Sequence, residues 1–183
     1  VEKLLLPKMI EKEAKELKNC YLTVLEVGGA YAHRFAELFK FIGIPYLIIT
    51  DCDSIDPNDS RKSCRADTPS AKTSNACLKF FYGKDITIEQ LNNKEEADQI
   101  LVDSCCYLTF QKPVSVDGYQ ADEKMHGRTF EEAFIYENLD LFKNGKVSTS
   151  ITLEGDHDKD YGQIYDLVKS ANFKKAEFAL DIV

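Results

Sequence analysis

Long apolar runs are missing from this sequence. No uninterrupted hydrophobic stretch among its 183 residues approaches the ~20 that a membrane-spanning helix needs, so no membrane partner is expected. The opening Val-Glu-Lys-Leu-Leu-Leu does not read as a signal peptide. It begins abruptly, as the cut end of a longer chain would. None of the six cysteines forms a Cys-x-x-Cys pair, and Cys105 and Cys106 are adjacent. A structural zinc site and a disulfide framework are therefore disfavoured, and free thiols in a reducing cytosol are the expectation. The three histidines, His33, His126 and His157, are scattered without metal-ligand spacing. There is no Gly-x-x-x-x-Gly-Lys-Ser/Thr loop to cradle a nucleotide phosphate, and no Gly-x-Ser-x-Gly elbow for a serine hydrolase. No internal repeat or low-complexity tract breaks the chain.

What is present is an ordinary globular composition, 44% hydrophobic and 30% charged, of a size suited to one domain. The net charge of −8 argues against holding nucleic acid through bulk electrostatics, although a site where metal ions meet the phosphate stays open. Along the chain, residues 2–18 read as a helix and 21–27 as a strand. Gly28-Gly29 is the turn after it, 31–41 a second helix capped by Gly43, and 46–50 a buried strand. That alternation predicts an α/β fold with a mainly parallel sheet. Residues 56–74 form a polar loop, for which a functional lid and disorder are both compatible with the composition. Thr73, Ser74 or Asn75 is expected to cap a short helix through 81, and Thr87 another over 88–92. A helix over 94–102, a strand over 106–110 and helices over 130–142, 160–170 and 173–183 complete the pattern.

The strand at 46–50 runs straight into Asp51-Cys-Asp53. Chemistry in open α/β sheets collects at the carboxyl ends of strands. Side chains alternate along extended chain, so both carboxylates can face one side. Two such groups repel unless a proton or cation sits between them, and Mg²⁺ with its preference for oxygen ligands suits that place. A plain polar turn is the competing reading. Gly28-Gly29 lacks the full dinucleotide pattern and is the weaker candidate; Glu26 would end its strand near the same mouth. Glu131 sits at a helix start, where dipole compensation alone would explain it. Lys175, near another helix start, is in an unfavourable dipole position for a cation.

Six blocks in order carry a family likeness: Val-Glu-Lys-Leu-Leu-Leu-Pro-Lys (1–8), Glu-Val-Gly-Gly-Ala-Tyr-Ala-His-Arg-Phe (26–35), Ile-Thr-Asp-Cys-Asp-Ser (49–54), Lys-Thr-Ser-Asn-Ala (72–76), Gly-Arg-Thr-Phe-Glu-Glu-Ala-Phe (127–134) and Lys-Ala-Glu-Phe-Ala (175–179). Together the chain resembles the TOPRIM domain of the "overcoming lysogenization defect" (OLD) nucleases. The resemblance implies a Rossmann-like TOPRIM fold over residues 1–183, with an inserted polar loop and extra helices. It implies a metal-dependent DNA endonuclease using Mg²⁺ or Mn²⁺. Glu2, Asp51 and Asp53 would be metal ligands, Glu131 a further acidic site residue, and Lys175 the lysine that stabilises transition-state charge. The family's first glutamate and its strand would precede Val1, and an ABC-type ATPase domain of the same longer chain would supply nucleotide control and dimerisation. A cytoplasmic role in phage defence fits the family. Two rivals remain on the residues alone: a phosphotransferase or phosphatase with Asp51 as nucleophile, and a non-catalytic metal-dependent docking module.

Overall fold

The computed structural model describes residues 2–28, 30–94, 100–101, 105–143, 147, 149 and 151–182, with the side chains of residues 2–4, 100 and 101 excepted. The chain opens with α1 (Glu2–Glu13), followed by a 3₁₀ turn over Lys15–Asn19. The expected first helix is therefore divided at Ala14. Pro7 is accommodated inside α1. Residues 21–27, expected as a strand, form no ladder and are largely exposed, Tyr21 to 99%. Their apolar, β-branched pattern suits a strand, but a strand needs a neighbouring edge to bond. Among the described residues none is supplied to this segment. A second 3₁₀ turn (Ala32–Phe35) leads into α2 (Ala36–Ile42), which Gly43 ends in the left-handed conformation, φ +74°.

The central sheet is small. β1 (Tyr46–Ile49) and β5 (Cys106–Thr109) are parallel neighbours, and β4 (Ile100–Leu101) adds to β5 antiparallel. The expected helix over 94–102 is thus corrected at its end, where residues 100–101 pair in the sheet; residues 95–99 and 102 lie outside the described set. The polar loop after Asp53 is built rather than loose. β2 (Ser54–Ile55) and β3 (Lys72–Thr73) pair antiparallel and close its base. Ser54 Oγ donates to the Cys64 carbonyl at 2.6 Å, and Tyr165 OH reaches the Ser63 carbonyl at 2.7 Å.

α3 (Ala76–Tyr82) is capped by Asn75, whose side chain accepts from the N–H groups of Cys77 and Leu78. α4 (Ile88–Asn92) carries a reciprocal capping box of Thr87 and Gln90. A short hairpin of β6 (Val114–Ser115) and β7 (Lys124–Met125) precedes α5 (Phe130–Glu137) and α6 (Leu139–Lys143), which replace the single helix expected there. The break is at Asn138, whose amide donates to the Phe134 carbonyl at 2.9 Å. α7 (His157–Lys169) begins three residues earlier than expected, capped by Asp156. α8 (Lys175–Asp181) is the last helix, beginning two residues later than expected, with Lys174 at its N-cap.

Two apolar clusters form the interior. One gathers Ile48, Leu78, Ile88, Leu91, Cys106 and Leu108 around the sheet. The other gathers Met125, Ile135, Phe142, Tyr161, Ile164 and Phe178 between α5, α6, α7 and α8. The carboxyl end of β1 meets the start of α5 where these clusters adjoin. No helix of the described residues is long and apolar enough to cross a membrane.

Candidate carboxylate site at the end of the parallel strands

The chain beyond β1 is pinned at each residue. Thr50 N donates to the Thr109 carbonyl at 3.1 Å, prolonging the parallel ladder by one bond. Asp53 N donates to the Arg128 carbonyl at 3.0 Å, and Thr73 Oγ1 to the Cys52 carbonyl at 2.7 Å. Ser74 donates to the Asp53 carbonyl through both its N–H and its hydroxyl, each at 2.9 Å. Asp53 itself takes φ +47°, in the left-handed region that Asp tolerates better than most residues. The turn is therefore specified by its partners, not left as a floppy polar bend.

Asp51 points at the start of α5. Its Oδ1 accepts from Phe130 N at 3.0 Å and from Gln111 Nε2 at 2.7 Å. One of the free N–H groups at the helix start is thus satisfied by a carboxylate 79 residues earlier. Thr129, at the N-cap position of α5, makes no side-chain cap bond, and its buried Oγ1 has no partner among the described residues. Asn75 ties the two aspartates together. Its Nδ2 lies 2.9 Å from the Asp51 carbonyl, 2.9 Å from Thr50 Oγ1 and 3.2 Å from Asp53 Oδ2. Arg128 stands 3.7 Å from Asp53 Oδ1.

Glu131 and Lys175, distant in sequence, meet here. Lys175 Nζ bonds both carboxylate oxygens of Glu131, at 2.9 and 3.0 Å. Glu131 is almost wholly buried, and the lysine is half exposed. Lys175 opens α8, so its charge sits at the wrong end of that helix's dipole, and Glu131 offsets it. Both groups act on Asp51 electrostatically. Burial first, and then the neighbouring Asp53 charge, push the Asp51 carboxyl up to about 7; Glu131 adds to this, while Gln111 and Lys175 oppose it. Burial likewise raises Glu132 to about 7, against the help of the Arg128 N–H at 3.0 Å. The surroundings thus crowd acidic groups beyond what the local cations neutralise.

Four of the residues singled out from sequence, Asp51, Asp53, Glu131 and Lys175, are therefore gathered in one region. Glu2 falls within α1, but its side chain lies outside the described residues. Glu26 is exposed on the irregular segment, and Gly29 lies outside the description. His33 stacks on Phe80 at 5.0 Å and His157 packs edge-on to Tyr119 and Tyr161, as structural histidines do. Sequence reasoning missed Gln111 and Arg128 and saw Asn75 only as a helix cap. Only Gln111 carried a usable signal, since it follows the second parallel strand at the same distance as Asp51 follows the first.

The donors fit a divalent cation by their chemistry: they are carboxylate oxygens, in anionic excess, with one Asp51 oxygen already committed to N–H groups. Among the described residues, no three His, Cys, Asp or Glu side chains converge as a preformed cage.

Residues 1–53, from α1 through the Asp pair, match the model of the overcoming lysogenization defect protein-like TOPRIM domain. The chain is 25% identical over 180 residues to "Endonuclease GajA" of Bacillus cereus (strain HuB5-5). The alignment covers 92% of this chain and 24% of that protein, so the chain spans about a quarter of its relative's length. No solved structure matches. Over residues 1–53 the chain is thus similar to OLD-like TOPRIM domains, and its helices and small parallel sheet are in keeping with the α/β arrangement that the sequence motifs imply.

Proposed function

We propose that this chain is the nuclease part of a longer OLD-type protein and hydrolyses phosphodiester bonds of DNA with a divalent cation. The observation that carries the reading is the Asp51–Asp53 pair at the carboxyl end of a parallel strand, within electrostatic reach of the Glu131–Lys175 ion pair, with Asp51 raised to about 7 by burial and by Asp53. The family match over the Asp pair and the similarity to a protein named an endonuclease supply the reaction class.

TOPRIM domains as a class bind divalent metals, and here Asp51 and Asp53, with Glu2, are the residues to hold Mg²⁺ or Mn²⁺. When bound, such a cation neutralises phosphate charge and lowers the pKa of attached water. The residues of the chain do the rest. Asp51 is oriented by Gln111 and Phe130 N–H, so its carboxylate is aimed before substrate arrives. Glu131 holds Lys175 at the margin of the site. The half-exposed ammonium then faces the negative charge that grows on the phosphoryl oxygens. Arg128, beside Asp53, is a second cation for a phosphate.

A phosphotransferase using Asp51 as nucleophile is less well supported, because the similar protein is named an endonuclease. In the longer protein, an ATPase domain and homodimerisation belong to the same reading, and so does action against phage DNA.

The test is conversion of supercoiled plasmid by the longer protein in Mg²⁺, Mn²⁺ or EDTA, beside Asp51→Ala. Nicking that needs the metal and falls by at least about a hundredfold in Asp51→Ala is the expected result. Nicking that survives Asp51→Ala, or covalent trapping of Asp51 by a phosphate mimic, would overturn the reading.

A further inference from the structure

The parallel register of β1 and β5 keeps a constant offset, with Tyr46 beside Cys106 and Ile49 beside Thr109. Continued two residues past the strands, it sets Gln111 level with Asp51. The Gln111 side chain uses both of its ends there. Oε1 accepts from Cys52 N at 2.8 Å, and Nε2 donates to Asp51 Oδ1 at 2.7 Å. The amide orientation follows from the partners, because a main-chain N–H has only a proton to offer. Its support is rigid: the Gln111 carbonyl lies 2.9 Å from Nε2 of the buried His126 and accepts from Cys52 Sγ at 3.4 Å.

Phe130 N takes the same Asp51 oxygen. Two donors therefore occupy Oδ1, and among the described residues none takes Oδ2. Rotating the Asp51 carboxylate would break both bonds at once. The free oxygen is in this way held in one direction.

We propose that Gln111 is a positioning residue of the Asp51 centre: its Nε2–H fixes the aspartate so that Oδ2 is presented to the divalent cation. This rests on the metal-dependent reading above. Partners of this kind, which touch a ligand and not the ion, change metal affinity by about 10–100-fold when altered.

Gln111→Glu separates positioning from scaffolding. It keeps the shape and the acceptor for the Cys52 N–H, and it replaces only the donor to Asp51 with an anionic oxygen. The added carboxylate repels Asp51 and lowers stability whatever the role, so positioning is read from Mn²⁺ affinity and from the direction of the Asp51 carboxylate. Gln111→Met removes the donor without adding charge but also removes the acceptor for the Cys52 N–H, so if the first variant melts far below the parent it is read from the crystal structure and Mn²⁺ affinity together. Mn²⁺ binding is followed by the fall of the free-ion electron paramagnetic resonance signal, beside thermal melting and a crystal structure of each variant. The expected result is Mn²⁺ affinity about 10–100-fold weaker, a turned Asp51 carboxylate, and a melting temperature lowered only by the added repulsion in Gln111→Glu. Affinity within twofold of the parent with Asp51 unmoved would overturn the proposal. A parent that binds no Mn²⁺ would end the metal-dependent reading instead. The orienting role is then decided by the crystal structures, where a turned Asp51 upholds it and an unmoved one ends it.

Discussion

Asp51 keeps its carboxyl where the proton is favoured, and this has a sign that can be measured. An unfolded aspartate titrates near ~4. In the folded chain burial and Asp53 raise Asp51 to about 7, and burial raises Glu132 to about 7 as well. The folded state therefore binds more protons than the unfolded state between those values. The stability these groups contribute is fully present below about pH 4 and is lost as pH rises through about 7. The metal-free protein should accordingly show a lower urea midpoint at pH 8 than at pH 5.5. Asp51→Asn should flatten that slope and, at pH 8, stabilise the protein by about 1–2 kcal/mol while removing activity, the usual exchange at a strained functional residue. A midpoint that rises between pH 5.5 and 8, with Asp51→Asn no different from the parent, would contradict the electrostatics of the site.

Two elements hold the site, and each has one residue on which it turns. Gly127 leads into α5, and a Cβ there would stand 2.5 Å from Ala133 N and 2.8 Å from Ala133 Cα. Backbone cannot give way as a flexible side chain would. Gly127→Ala should thus destabilise by about 1–3 kcal/mol in denaturant titration. It should also weaken activity beyond what the stability loss explains, since Phe130 N and Glu131 move with that helix start. Asn75 both caps α3 and links Thr50 to both aspartates. Asn75→Ala should cost about 1–2 kcal/mol from the cap alone, and Asn75→Ser, which still caps, should recover stability without recovering activity. Equal recovery of both would mean that Asn75 serves only the helix.

At the scale of the molecule, the site lies where the sheet cluster and the helical cluster adjoin, and that location marks what a sequence can tell. The strand before Asp51 was legible because Tyr46–Ile49 is apolar and β-branched between a glycine–proline boundary and two acids. Asn75 and Thr87 were legible as caps because capping is written within three residues. The Asp51–Phe130 and Asp51–Gln111 bonds join residues 79 and 60 apart, and only the folded register brings them together. The strand expected over 21–27 failed for the complementary reason, since propensity does not supply a partner edge. Glu131 and Lys175 were singled out by their places at helix starts and given roles by resemblance, and their pairing explains why a lysine opens α8.

The measurement that tests the centre most directly is thermal melting at pH 8 with and without Mn²⁺, for the parent and Asp51→Asn. A cation that binds the folded carboxylates stabilises by mass action. The parent should melt several degrees higher with Mn²⁺, about 2.7 kcal/mol of stabilisation at a hundred times the dissociation constant. Asp51→Asn should melt above the metal-free parent and ignore the ion. An equal Mn²⁺ shift in both proteins, or none in the parent, would contradict a metal centre at Asp51.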